Sequence, residues 1–235
     1  MTSSAARSEF MAGVREMLPL TIGAIPFGII FGIISHTAEI PWWAAQGMSA
    51  FVFAGSSQFI ASSLILAGTP YLLIVLTTFI VNLRHALYGA SVAEYMARLP
   101  KGWKALLAYG MTDESFATTI VHYRDTHISN ENKHWYFLGA NLGMFVPWQI
   151  DTAIGYSIGS AIGDPLALGL DFAMSAVFIA ILIPQIRARA DVLSALSAGV
   201  LAVMLYGLPS KLGLLIAIVV GILVGLGVET WNSRS

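Results

Sequence analysis

The sequence predicts an all-α integral membrane protein, a polytopic helix bundle of about seven to eight spans with broken helices, and three observations carry that prediction. Hydrophobic residues make up 57% of the 235, charged residues only 11%, and mean hydropathy is +0.75, values foreign to an ordinary soluble domain of this length. The longest polar stretch, Tyr123 to Lys133, leaves no room for a soluble domain, so any chemistry belongs in the membrane or at its faces. Apolar runs recur at the length of roughly 20 residues that a hydrocarbon core of about 30 Å demands.

On that length criterion one transporter domain, 1–235, holds candidate spans at 17–35, 42–67, 70–95, 103–123, 135–162, 166–186, 191–208 and 212–229. The second, third and fifth are long and carry Gly, Pro or polar interruptions, while the last two are short. Arg7 and Arg15 precede the first apolar run, Leu18 to Ile34, which is not followed by a small-residue cleavage site and reads as a retained helix. With eight spans and the N-terminus inside, Arg7, Arg15, Arg124, Lys133, Arg187, Arg189 and Arg234 lie inside. Arg98, Lys101, Lys104 and Lys211 then lie outside. The cluster Arg98, Lys101, Lys104 is on the wrong side for the positive-inside rule, and a re-entrant pair of half-helices at 42–67 repairs it.

Composition also excludes several functions. The net charge of -1, from 12 basic and 13 acidic groups, offers no basic patch for nucleic acid. Without cysteine there is no disulfide, thiol catalysis or cysteine metal site. His36, His122, His127 and His134 lie near span ends without metal-ligand spacing, so no metal or other cofactor is expected.

Taken in order, the spans differ in how much polar chemistry they carry. In the first, GAIPFGIIFG places Pro26 among Gly23, Gly28 and Gly32; the proline removes one helical bond, and the glycines read first as close-packing residues. In the second, FAGSSQF gathers Ser56, Ser57 and Gln58 at mid-membrane. A helix starting there presents bare N–H groups and a positive dipole end suited to a carboxylate; alternatively, the small residues serve packing. The third span, VNLRHALYGASVAE, buries Arg84 and His85 in an apolar run, where a guanidinium costs several kcal/mol unless paired or wet. At 100° per residue Arg84, Tyr88 and Ser91 share one face and Asn82, His85 and Gly89 another, so Arg84 and His85 are expected to address different partners. Arg84 reads first as an interhelical ion-pair staple and second as a substrate anchor.

The fourth span carries GMTDESFATT. If the helix begins at Thr112, Asp113 and Glu114 are ordinary first-turn acids; if it runs on from Lys104, both carboxylates are buried and need a partner, with Arg84 the obvious one. In the fifth, GANLGMFVPWQIDTAIG, Pro147 is expected to break the helix, and Asp151 is either an interfacial acid beside Trp148 or a proton or cation site. The last three spans are plain scaffold, with Arg187 and Arg189 as anchors.

PFGIIFG, FAGSSQF, NLRHALYGAS and TDESFA, in that span order, resemble the AzlC family, the large subunits of branched-chain amino-acid exporters. The likeness covers nearly the whole chain. It implies efflux of Leu, Ile, Val and in some members Met across a bacterial inner membrane, with a small AzlD-type membrane subunit as partner.

A zwitterionic aliphatic substrate needs a cationic or N–H site, an acceptor for its ammonium and an apolar pocket. The expected substrate-binding residues are Ser56, Ser57, Gln58, Asn82, Arg84, Phe27, Phe53 and Phe59, with Phe31 nearby, around the broken first and second helices. Asp113, Glu114, His85 and Asp151 are the expected proton-coupling groups. A rival reading, an intramembrane enzyme using His85, Asp113 and Glu114, lacks a nucleophile elbow or HExxH motif; a carrier of another small zwitterionic or hydrophobic metabolite is the other alternative. The sharpest structural expectation is contact between Arg84 and Asp113 or Glu114.

Overall fold

A computed structural model describes residues 3–124, 132–161, 179, 183, 186, 188–208 and 212–232. The described elements are helical, without a strand among them. The expected span at 166–186 lies outside the described residues except for positions 179, 183 and 186, as do His127, Arg187, Lys211 and Arg234.

The core is a pair of long helices, α1 (Ser3–Thr37) and α8 (Lys133–Ala161). They run parallel: Gly139 lies on Phe10, Gly143 on Met17, Gly155 on Ile29 and Gly159 on Ile33, so both sequences ascend together. Three Gly-x-x-x-Gly repeats make the contact, Gly28 and Gly32 on α1 and Gly139 with Gly143, then Gly155 with Gly159, on α8. Small residues at four-residue spacing form a smooth groove on one helix face and let backbones approach. A Cβ on Gly139 or Gly155 would meet the carbonyl oxygen of Phe10 at 2.1 Å or of Ile29 at 1.9 Å. Gly28 and Gly32 thus serve packing, whereas Gly23 meets open space.

Prolines do not interrupt these two helices. α1 passes through Pro19 and Pro26, and α8 through Pro147, as continuous helix, contrary to the expected breaks. A mid-helix proline deletes one N–H donor, and the extensive α1–α8 packing holds the remaining turns in place.

Between the two lie two helical hairpins and a broken helix, and α8 serves as a ruler for their depth. The first hairpin comprises α2 (Trp42–Gly47), a π-helical turn (Met48–Val52) and α3 (Gly55–Leu66). It leaves the level of Ile40, whose carbonyl accepts from Tyr156 Oη. It reaches Phe145, which packs on Phe53 at 4.9 Å between ring centroids, and returns so that Ile65 joins Ala38, Ile40 and Ala45. The reversal is made at Phe53, whose φ of 41° is left-handed, followed by extended Ala54. The stretch 42–67 is therefore two half-helices whose ends lie side by side.

α4 (Tyr71–Asn82) and α5 (Arg84–Ala93) follow as one rod broken at Leu83. It starts beside the first hairpin, where Ile74 packs on Ala61 and Leu64, and descends to where Tyr95 meets Tyr123. The second hairpin, α6 (Lys101–Tyr109) and α7 (Asp113–Arg124), enters from the opposite end. Trp103 stacks edge-on against Trp135 at 4.9 Å, Asn141 Nδ2 donates to the Leu107 carbonyl, and Gly110 sits on Asn141. α7 then returns, with His122 2.9 Å from Glu9 and Tyr123 Oη donating to the Lys133 carbonyl. Three of these helices begin directly after a proline in extended conformation, Pro41, Pro70 and Pro100, whose carbonyls accept the first helical bonds.

Near the C-terminus α9 (Arg189–Met204) and α10 (Leu212–Asn232) pack on each other, with Ser194 Oγ donating to the Gly221 carbonyl. Asp191 accepts from the Ala188 amide and closes the start of α9. Among the described residues two helices are long and apolar enough to cross a membrane, Ser4–Thr37 and the α4–α5 rod, Tyr71–Ala93. The large apolar side chains that α4 leaves exposed, Leu72, Val75 and Phe79, suit a face turned to hydrocarbon.

Candidate functional site

The tips of both hairpins and the break at Leu83 meet at one depth and enclose a cavity of about 680 Å³. Its polar wall is Ser56, Arg84, His85, Thr112, Asp113 and Glu114. Its apolar wall is built by Phe27, Phe53, Phe59, Tyr88, Phe116, Met144 and Trp148, with Gly23 and Ala24 of α1 leaving room.

Arg84 stands at the first position of α5, where the broken rod aims it between the two tips. Its Nη1 lies 2.7 Å from Asp113 Oδ2, and its Nη2 donates to Ser56 Oγ at 2.7 Å. The expected contact between Arg84 and one of the two acids is therefore present. Both side chains keep some exposure, 22% for Arg84 and 38% for Asp113, because they face the cavity. Arg84 Nε and Asp113 Oδ1 are buried without a hydrogen-bond partner. In a medium where an unpaired guanidinium is expensive, the pair explains how the arginine is tolerated.

Two helix N-termini converge on the same space. α3 begins at Gly55 without a side-chain cap, presenting its first N–H groups at the tip. α7 begins at Asp113, where Thr112 Oγ1 accepts from the Ser115 amide at 3.3 Å and Ser115 Oγ from the Thr112 amide at 2.9 Å. That reciprocal cap decides between the two alternatives for TDES: the helix starts at Thr112, in the interior of the molecule, and its first-turn acids still reach Arg84.

Other expected site residues stand behind the wall. Ser57 Oγ donates to Asn82 Oδ1 at 2.6 Å, tying α3 to the end of α4. Gln58, fully buried, accepts from Trp148 Nε1 at 3.2 Å and donates to Ser49 Oγ at 2.9 Å; Ser49 in turn bonds Thr152 at 2.8 Å. Gln46 donates to Gln149 Oε1 at 2.8 Å. These bonds fasten the first hairpin to α8. Phe31 packs edge-on against Phe59 at 5.9 Å in the same second layer. Asp151 is buried against Gly28 between α1 and α8 and does not line the cavity, whereas its neighbour Trp148 does.

His85 and Arg84 both line the cavity, yet they address different partners, as expected: Arg84 holds Asp113 and Ser56, whereas His85 Nδ1 lies 3.2 Å from the Asn82 carbonyl. The width of the cavity lets both neighbours on α5 line it. Trp148, Met144, Tyr88 and Phe116 were not anticipated as lining. Tyr88 follows Arg84 by one helical turn, a usable signal, whereas nothing local distinguishes Trp148 from an interfacial tryptophan.

A sequence model of the family described as AzlC protein matches residues 19–162, more than half the chain. The chain belongs to the AzlC family. The matched segment runs from within α1 to the end of α8 and contains every cavity residue named above. The chain is 33% identical over 183 residues to "Branched-chain amino acid transport protein AzlC" of Bacillus subtilis, covering 76% of this chain and 70% of that protein. It is 29% identical over 234 residues to "Inner membrane protein YgaZ" of Escherichia coli, covering 96% and 93%. An "Uncharacterized membrane protein" of Archaeoglobus fulgidus is 29% identical over 204 residues, covering 86% and 87%. No solved structure matches. With these relatives, the composition and the apolar helices, the protein is a membrane protein.

Proposed function

We propose that the chain exports the branched-chain amino acids Leu, Ile and Val, with the unbranched Met as a further substrate, across a bacterial inner membrane in which it is multi-pass. The observation that carries this reading is one cavity with a charged side and an aromatic side between two helix tips. Its volume falls within the range of about 300–1,000 Å³ common to small-molecule sites. The substrate carboxylate goes to Arg84 and the bare N-terminus of α3; the ammonium goes to Asp113 or Glu114; the aliphatic side chain rests among Phe27, Phe53, Phe59 and Trp148. Ser57, Gln58 and Asn82 hold the tips in place from behind. The name of the Bacillus relative supports the substrate class.

Asp113 and Glu114 are also the proton carriers in this reading. Asp113 is released when the substrate carboxylate takes its place on Arg84, and a freed carboxylate in a low-dielectric cavity takes up a proton. His85, on the same wall, is the second acceptor within the cavity, and buried Asp151 a reserve one. An AzlD-type small membrane subunit works with the chain.

Purified protein in liposomes, alone and with such a subunit, should move labelled leucine outward and hydrolyse nothing. A panel of unlabelled zwitterions should compete in order of aliphatic bulk; equal competition by short polar amino acids would assign a different cargo. Asp113→Asn and Glu114→Gln should each blunt the acceleration of efflux by an imposed pH gradient, measured by initial rates with and without ionophore. An unaltered gradient response in both variants removes the proton role.

A further inference from the structure

The two hairpins are copies of one design. Shifted by 57 positions, residues 14–66 fall on 71–123, and the structural events fall on each other. Phe31 on Phe59 in the first unit corresponds to Tyr88 on Phe116 in the second, ring contacts of 5.9 and 4.4 Å. Gly32 corresponds to Gly89, and α3 and α7 are each 12 residues long. The buried hydroxyls of Ser62 and Thr119, also 57 apart, both lack a partner.

The units run in opposite directions. α1 ascends alongside α8 and is followed by a hairpin from the upper end; the α4–α5 rod descends and is followed by a hairpin from the lower end. Ser56 and Asp113, the two partners of the Arg84 guanidinium, occupy equivalent positions of the two tips. One side chain ties both tips.

We propose that residues 14–66 and 71–123 are an inverted-topology repeat whose re-entrant hairpins are the two gates of the cavity, and that Arg84 is the latch closing both. Each hairpin enters and leaves by one face, so α1, the α4–α5 rod and α8 make the three crossings up to residue 161. Arg7, Arg15, Arg98, Lys101, Lys104 and Arg124 then share one face, the cytoplasmic one, while the connections 38–41 and 67–70 at the other end carry no basic residue. A substrate carboxylate competing for the guanidinium releases one tip at a time, which gives the cavity access to one face at a time. The substrate in this scheme rests on the function proposed above; the gates do not, and their test uses none.

The absence of cysteine makes single-cysteine labelling clean. In the full-length protein in oriented membrane vesicles, an impermeant maleimide should reach Glu39→Cys and Ala67→Cys from one face, and Arg98→Cys and Arg124→Cys from the other. Reaction of Glu39→Cys and Ala67→Cys from opposite faces overturns the repeat, because 42–66 would then cross the membrane. The latch is read at the equivalent buried tip positions Ala54 and Met111, 5% and 4% exposed. Arg84→Gln should raise labelling of both Ala54→Cys and Met111→Cys by roughly tenfold, the scale of losing a charge-assisted hydrogen bond. Ser56→Ala should free only Ala54→Cys, and Asp113→Asn only Met111→Cys. A rise at one tip alone in Arg84→Gln, or at neither, overturns the latch. Failed leucine transport with the expected labelling would reject the cargo and leave the gates standing.

Discussion

In the Arg84→Gln variant, leucine efflux falls to the background of membranes lacking the protein. Among the described residues the guanidinium is the one Lys or Arg cation on the cavity wall, and it holds two of the groups that shape the tips. Glutamine keeps hydrogen-bonding capacity but neither the charge nor the two-pronged geometry that a carboxylate substrate requires. A loss of efflux alone does not separate a substrate anchor from a staple, because Asp113 is left without its counter-ion and the variant can simply be less stable. The double variant Arg84→Gln with Asp113→Asn makes that separation. It removes the stranded charge, so protein accumulation should return to normal, measured by quantitative immunoblot and monodispersity after detergent extraction. Efflux should remain absent. Recovery of efflux in the double variant would assign Arg84 a purely structural part, and unchanged efflux in Arg84→Gln at normal protein levels would remove it from the machinery altogether.

Gly155→Leu should eliminate folded protein from the membrane. Even the Cβ of alanine would lie 1.9 Å from the Ile29 carbonyl oxygen, an obstacle of backbone that no rotamer change relieves. The helices would have to separate along their whole contact, since Gly139 meets Phe10 in the same way more than four turns below. Overpacking a well-ordered interface costs at least about 1–3 kcal/mol, and separation adds the lost van der Waals contacts that drive helix association in lipid. Gly23→Ala, which meets open space on the partner helix α1, is the control and should accumulate normally. Equal accumulation of Gly155→Leu and Gly23→Ala would show that α1 and α8 do not pack as described.

Much of the site was legible because charge in an apolar run is conspicuous. Arg84, Asp113 and Glu114 stand out from Leu, Ile and Val around them, and desolvation cost alone suggests that the arginine and an acid meet. The serine tip at 55–57 was legible for a related reason, since small polar residues at mid-membrane imply an exposed helix start. What misled was proline. Pro26 and Pro147 were expected to break their helices, yet the breaks fall at Phe53 and Leu83, residues without any local signature of strain. A proline removes one bond, which neighbouring turns tolerate; the reversal at Phe53 is held by Phe145 on Phe53 and by Trp148 on Gln58, partners about 90 residues away in the chain.

The sequence by itself determined the class of protein, its membership of the AzlC family and that Arg84 meets an acid of the pair Asp113 and Glu114, the structure choosing Asp113. These follow from hydropathy, motif order and the cost of a lone charge in hydrocarbon, each a property of residues and their neighbours along the chain. It also posed the question of the 42–67 stretch through the misplaced cluster Arg98, Lys101, Lys104 without answering it. Only the tertiary structure decided that α1 and α8 lie parallel, that Ser57, Gln58 and Asn82 brace the wall while Trp148 forms it, and that both tips reach one guanidinium. The physical reason is that hydropathy reports how apolar a segment is and not where it turns. A half-helix pair and a full span have the same composition, and they differ only in which distant side chains are waiting at mid-depth to receive the turn.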